Sequence, residues 1–374
     1  MAGHRINIAV LTSSRADFSI YLPLLIALNK NKRFKVEIIA FGTHMSKKHG
    51  YSVADIKANG VKVTHKIPFK LKGDKPSDIA KNIGVVVEQF SSLWRRIAGK
   101  TDLIICLGDR YEMFAAVLAS VPFNIPVAHI HGGEETLGAI DNIFRHSISQ
   151  MSTLHFTSTA RHAQRVKQLV PHNKHVYNVG ALGIDSMLMV KKLSGKEFIK
   201  KFGFSLKNPV LATLHPETAG NISNLELVKA FTGAMKQIAK NSQVVVTLPN
   251  ADAEGSLLRK YMLKNLKGVN SVRLVESLGV RGYYTALANC KMVIGNSSSG
   301  IIEAATFKKW VINIGDRQKG RTRSVNTVDC GLNEKIIMQY YSKLGRSEQF
   351  KGQNVYGTGG TSTAIINALV KYLA

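Results

Sequence analysis

Along most of this chain, short apolar runs stop abruptly at small polar residues and are followed by segments with helical spacing. Residues 6–11, 36–41, 103–107, 127–130, 154–157 and 176–179 read as strands, with helices at 21–28, 78–97, 112–120 and 142–151. Alternation of strand and helix implies a parallel sheet, because each helix must carry the chain back before the next strand begins. The pattern predicts a doubly wound sheet of about six strands. A second unit of the same kind follows, with strands at 210–214, 244–248, 272–274, 292–295 and 311–314 and helices at 225–240 and 283–288. The polar, lysine-rich stretch 186–207 reads as the join, and a turn-rich segment at 352–362 precedes a last helix at 363–373. Three segments are therefore expected, at 1–186, 187–360 and 361–374.

A length of 374 residues suits two domains rather than one core. No apolar run approaches the ~20 residues that cross a bilayer. The opening apolar run is short and leads into Arg15 and Asp17, as a first strand and its loop would, not a secretory signal. Cys106, Cys290 and Cys330 are far apart and form no CxxC, so neither a disulfide framework nor a zinc site is suggested, and a cytoplasmic setting is expected. The 51 Lys and Arg against 24 Asp and Glu give a net charge of +27. Those bases form only small clusters at 30–35, 70–75 and 196–201, without a basic helix or an aromatic-interleaved stripe. They read as solvated surface, so neither nucleic acid nor membrane is an expected partner.

In open α/β sheets, ligands bind beyond the carboxyl ends of the strands. Nearly every strand here ends in groups fit for that purpose: Ser13 to Asp17, Gly42-Thr43-His44, Gly108-Asp109-Arg110, His131-Gly132-Gly133-Glu134, His215, Asn250, Ser297 to Ser299, and Arg317. In KMVIGNSSSGIIEAATF (residues 291–307), strand, polar turn and helix bring hydroxyls and free backbone N–H groups together, an arrangement suited to a diphosphate. Ser298 or Ser299 as a plain helix cap is the alternative. Asp109 after a buried strand can likewise be a cap, and Asp141 and Arg145, four apart, can be an intrahelical pair. His129 and His131 share one face of a strand, with His131 nearer its end. An HxH metal site has no further ligand set in the sequence. Arg15 and Arg317 carry guanidinium groups suited to bidentate anion binding, whereas Lys319, Arg321 and Arg323 read as surface charge.

The motifs GDRYE (108–112), HIHGGE (129–134), Asp141 with RHSIS (145–149), LHPET (214–218), GNSSSGIIEA (295–304) and INIGDRQKGR (312–321) resemble, in this order, the hydrolysing UDP-sugar 2-epimerases of sialic-acid and legionaminic-acid pathways. The resemblance runs from the first strand to about residue 329. It implies a GT-B architecture: two Rossmann-like domains with the active site in the cleft between them, and a final helix packed on the first. It also implies elimination of UDP to a glycal and hydration of that glycal to a free 2-epimer, with no cofactor and no metal. The catalytic residues implied are Asp109, Glu134, Asp141, Arg145 and His215, with the roles of base and acid left open. Substrate contacts are implied at Arg15, Asp17, His44, Arg110, Asn250, Ser297, Ser298, Ser299, Gly300 and Arg317, and at Glu303 for the ribose, which is otherwise a helix-dipole residue. The expected partners are a UDP-sugar, UDP and further copies of the chain as a dimer or tetramer. UDP-N-acetylglucosamine, giving N-acetylmannosamine, is the first substrate expected. UDP-2,4-diacetamido-2,4,6-trideoxyglucose is the alternative, and a GT-B glycosyltransferase or a polyanion binder ranks below both.

Overall fold

The computed structural model describes residues 5–46, 52–68, 73, 75–135, 137, 140–217, 223–249 and 253–373. The chain divides into two compact units, one holding the described residues up to Ser186 except Leu137, together with those from Gly359 onward, the other holding Leu137 and Met187–Thr358.

The first unit is built on a seven-stranded sheet in the order β3-β2-β1-β4-β5-β6-β7, where the strands are β1 Ile6–Thr12, β2 Phe34–Ala40, β3 Val63–Lys66, β4 Leu103–Leu107, β5 Val127–Ile130, β6 Leu154–Thr157 and β7 Val176–Asn178. All neighbouring pairs are parallel. Alternation along β1 feeds two cores at once, Ile8 and Val10 into one layer and Ala9 and Leu11 into the other. The helix Pro76–Ile97 buries Val86, Phe90, Leu93 and Trp94, a stripe at helical spacing that packs on the second layer.

The second unit repeats the plan with six strands, β8 Val210–Thr213, β9 Val244–Thr247, β10 Val272–Val275, β11 Met292–Gly295, β12 Trp310–Ile314 and β13 Thr327–Cys330, in the order β10-β9-β8-β11-β12-β13. Here Val210 and Ala212 enter one layer and Leu211 the other. Gly295 closes β11 at φ 137°, where a Cβ would sit 1.8 Å from the Thr213 carbonyl oxygen of β8, so only glycine fits.

The sequence pattern missed β3 and β13, one edge strand of each sheet, along with the helices Val53–Ala58, Ala160–Leu169, Leu182–Met189, Gly195–Phe202, Ala253–Leu266 and Glu334–Arg346. Both missed strands are four residues long and carry polar side chains. An edge strand buries less and so leaves a weaker apolar signature.

Two details tie the first unit together. Pro23 lies inside the helix Arg15–Lys30 and has no N–H to give the Ser19 carbonyl, and the Ser186 hydroxyl reaches that carbonyl at 2.9 Å and that of Ile20 at 3.0 Å. The helix Thr361–Tyr372 packs Ile365 and Leu369 into the same core as Ile8 and Val10, and its first N–H groups, of Thr361 and Ser362, donate to the Asp185 carboxylate at 3.1 and 2.7 Å. Asp185→Ala should lower unfolding free energy by about 1–2 kcal/mol, the usual cost of a lost helix cap. Urea unfolding measures the loss, and amide exchange should quicken first across residues 361–372.

Candidate active site

Functional side chains in each unit gather at the carboxyl edge of its sheet, and each edge is described separately.

At the end of β1, Asp17 and Ser14 form a reciprocal capping box for the helix Arg15–Lys30. The Asp17 carboxylate also accepts from the Thr12 hydroxyl (2.5 Å), the Ser13 N–H (2.8 Å) and the Ser13 hydroxyl (2.8 Å). His44 stands 2.9 Å from the Thr12 hydroxyl, 3.7 Å from Asp17 and 2.8 Å from Ser52. Asp17 and His44, both expected among the substrate contacts, are thus buried with their polar atoms engaged in this turn. Arg15, next to it, is exposed. Burial raises the Asp17 pKa, but the nearby His44 and the hydrogen bonds from Thr12 and Ser13 outweigh it and leave the group below its ordinary value.

Beyond β4, Arg110 forms a two-point ion pair with the fully buried Glu112, at 2.7 and 3.2 Å. Asp109 pairs instead with Arg145, from the helix Asp141–Gln150. Arg145 is 6% exposed, and its guanidinium also donates to the Glu134 carbonyl (2.7 Å) and to Asn142 (3.1 Å). One cation therefore links the segments that carry two candidate carboxylates. Asp141 begins the same helix, half-buried.

Beyond β5, the loop is held from several sides. His129 is a core residue with a neutral ring: Nε2 donates to the Gly108 carbonyl (2.8 Å), Nδ1 meets the Ser149 hydroxyl (3.0 Å), and burial lowers its pKa to about 3. His131 is left-handed at φ 67°, and Gly133 at φ 75° could not carry a Cβ without meeting the His162 carbonyl at 2.4 Å. Arg165 donates to the Gly133 carbonyl (2.6 Å) and pairs with Glu135 (2.8 Å). The Glu134 side chain accepts from the Ser158 hydroxyl at 2.7 Å.

In the second unit, Asn296 joins three strand ends. Its amide clasps the His215 backbone, accepting from the N–H (2.7 Å) and donating to the carbonyl (2.8 Å), while its own carbonyl accepts from Arg317 (3.0 Å) and Gln318 (2.9 Å). Glu217, which could have oriented His215 from two residues away, turns Oε1 to the N–H groups of Asp316 (2.8 Å) and Arg317 (3.2 Å). Burial raises the Glu217 pKa above its ordinary value despite those bonds. Arg323 pairs with Asp329 at 2.5 Å.

The helix expected at 301–307 is instead the single turn Ser298–Ile302, with Ser297 as its cap. Gly300 packs under Val311, and Lys308 at φ 58° ends the turns that follow. The Ser299 hydroxyl donates to Glu303 (2.5 Å) and accepts from Tyr283 (2.8 Å), and the Tyr284 hydroxyl donates to the other Glu303 oxygen (3.1 Å). Burial raises the Glu303 pKa, with those two donors opposing the change. Asn250 lies outside the described residues.

Sequence reasoning passed over Asn296, Ser158 and His162. Ser158 and His162 follow β6 in FTSTARH, so the rule that found the other strand ends would have found them. The amide role of Asn296 left no signal beyond its place after Gly295.

Two Rossmann-like parallel-sheet units make this a GT-B-type protein, and solved structures agree in fold. The UDP-GlcNAc 2-epimerase of Neisseria meningitidis bound to UDP-GlcNAc superposes with a TM-score of 0.78 at 18% identity, covering 98% of this chain and 100% of that one. The S. aureus MnaA–UDP co-structure gives 0.77 at 18% identity, covering 98% and 97%. The family profile described as UDP-N-acetylglucosamine 2-epimerase matches residues 26–370, and the chain belongs to that family. Among its relatives, the Campylobacter jejuni GDP/UDP-N,N'-diacetylbacillosamine 2-epimerase (hydrolyzing) is 35% identical, across 92% of this chain and 88% of its own length. The Legionella pneumophila UDP-N,N'-diacetylbacillosamine 2-epimerase (hydrolyzing) is 31% identical across 95% and 93%. The Escherichia coli polysialic acid biosynthesis protein P7 is 30% identical across 92% and 87%. Among the described residues, no helix is long and apolar enough to cross a membrane.

Asp17→Asn should cost about 3 kcal/mol at pH 7, since it weakens charge-assisted bonds inside a buried turn. A lowered folded-state pKa gives stability that is present above the unfolded value of 3.8 and lost as pH falls through the folded value. Urea unfolding from pH 7 to pH 2 should therefore fall less steeply on acidification in Asp17→Asn than in the parent.

Proposed function

We propose that this chain, a hydrolysing UDP-sugar 2-epimerase, acts on a UDP-2,4-diacetamido-2,4,6-trideoxyhexose and releases UDP and the free 2-epimeric sugar, a precursor of legionaminic-type nonulosonic acids. Relatives named for the diacetylbacillosamine nucleotide, at 35% and 31% identity, support this substrate over UDP-N-acetylglucosamine, whose named Neisseria meningitidis 2-epimerase is 24% identical. The observation that carries the chemistry is Arg145, paired with Asp109 and bonded to the backbone of Glu134.

Elimination breaks the bond from carbon 1 to the diphosphate oxygen while a base takes the proton from carbon 2, and water then adds across the glycal. No carbonyl activates that proton, so the barrier falls through stabilisation of the leaving diphosphate and through placed acids and bases. Asp109, Glu134 and Asp141 are the proton-handling carboxylates in this reading, and Arg145 holds the first two in place. Ser297, Ser298, Ser299 and Gly300 receive the diphosphate with Arg317, and His215 supplies a proton at the leaving group. Arg15 is the cation offered from the first unit. Arg110 is a weaker choice, because Glu112 already takes two of its bonds. Glu303 is assigned to the ribose, for which Tyr284 would give up its bond.

Both UDP-sugars, offered separately in deuterated water and followed by proton and phosphorus NMR, test the substrate. The diacetamido sugar should be consumed with at least about tenfold higher kcat/KM and yield a free 2-epimer with deuterium at carbon 2. Preference for UDP-N-acetylglucosamine would move the chain to the sialic-acid branch, and consumption of neither would remove the reading. Asp109→Asn and Glu134→Gln should each lower kcat by about 10²–10⁴-fold, the usual worth of a placed acid or base. Calorimetric affinity for UDP should stay within about twofold of the parent.

A further inference from the structure

The carboxylate of Glu134 sits at the meeting point of two short hydrogen-bond chains whose directions can be worked out. From one side, the Ser158 hydroxyl is 2.7 Å from Glu134 Oε1 and 2.9 Å from His162 Nδ1. A hydroxyl has one proton, and an ionised carboxylate can only accept. Ser158 therefore donates to Glu134 and accepts from His162, so the His162 proton lies on Nδ1. From the other side, the Leu182 N–H donates to His131 Nε2 at 3.2 Å, which requires that nitrogen to be unprotonated. The His131 proton is then on Nδ1, which faces the same Glu134 Oε1 at 3.3 Å.

We infer that His131, Ser158 and His162 are positioning residues that hold Glu134 ionised and in one rotamer: His131 and Ser158 aim their protons at a single carboxylate oxygen, and His162 orients the Ser158 hydroxyl. The inference rests on the reading of Glu134 as one of the acid–base carboxylates.

Two further observations favour it over incidental packing. His131 occupies left-handed backbone at φ 67°, a conformation that costs a non-glycine residue of order 1 kcal/mol and persists where side-chain contacts compensate. Its two ring nitrogens supply those contacts. Ser158 and His162 are buried, at 0% and 3% exposure, so water does not compete for their bonds. Burial first, with Arg165 and Arg145 adding to it against the pull of Glu134, lowers the His162 pKa to about 4 and leaves a neutral donor at neutral pH. Among the described residues, the other charges near the carboxylate include Arg145, paired with Asp109, and Arg165, paired with Glu135.

Ser158→Ala removes one donor and should shift the acid limb of the kcat/KM profile upward by about one pH unit, with KM within about twofold, because a lost bond to the charged form disfavours it. Ser158→Thr, which keeps the hydroxyl, should restore the parent profile. A second readout needs no turnover. With side-chain carboxyl ¹³C-labelled glutamate in the full-length protein, and the Glu134 resonance assigned by its loss in Glu134→Gln, the titration midpoint of Glu134 should rise in Ser158→Ala by the same amount. Superimposable Glu134 titrations in parent and Ser158→Ala would overturn the inference. So would an equal loss of activity at every pH that Ser158→Thr fails to rescue. If the parent consumes no UDP-sugar, the proposed function falls, while the ¹³C titration still decides whether these residues hold Glu134.

Discussion

The Arg145 guanidinium is the interaction on which the candidate site of the first unit depends. A buried cation must find partners or it destabilises the fold, and Arg145 finds them on chain segments far apart in sequence, the Asp109 side chain and the Glu134 backbone. The fixed fork of a guanidinium suits this task, since lysine presents only a point charge. Folding and site geometry are therefore the same requirement here. The end of β4 and the loop after β5 cannot separate without stranding a charge away from water.

The second unit meets the same geometric need around a neutral amide. Asn296 closes on the backbone of His215 with both amide atoms, and its carbonyl receives Arg317 and Gln318. Each amide atom faces a partner of the opposite kind, so a flipped side chain would lose both bonds. Glu217 fixes the neighbouring turn through the N–H groups of Asp316 and Arg317. The strand ends are thus locked by two neutral amides, the Arg317 guanidinium and one carboxylate.

The sequence revealed most where burial is complete on both faces. Runs such as LIICL in β4 and VVVT in β9 admit few readings, and the parallel arrangement followed from their alternation with helices. It revealed least where polar groups do structural work. Asp17 and His44 have the residue types of a sugar site, yet a buried turn engages them, because a capping box and a ligand contact use the same side chains. The αL conformation of His131 was hidden for the opposite reason, since histidine carries no glycine-like mark of positive φ. Residue types locate a strand end as a place of chemistry. Which of its groups remain available depends on partners distant in sequence, such as Arg145 for Asp109.

The serine hydroxyl that satisfies the Ser19 carbonyl left open by Pro23 has a consequence for how the chain acquires its structure. Ser186 stands at the end of the first run of residues in its unit, and the apolar face of Thr361–Tyr372 joins the same core only after Met187–Thr358 has passed. During synthesis Ser186 and the helix Arg15–Lys30 therefore emerge well before Ile365 and Leu369, which belong to the same core. The place that Ile365 and Leu369 fill in the finished unit thus depends on a segment made after the whole of Met187–Thr358. Vectorial folding here is a matter of closing a long excursion rather than adding one finished domain to another.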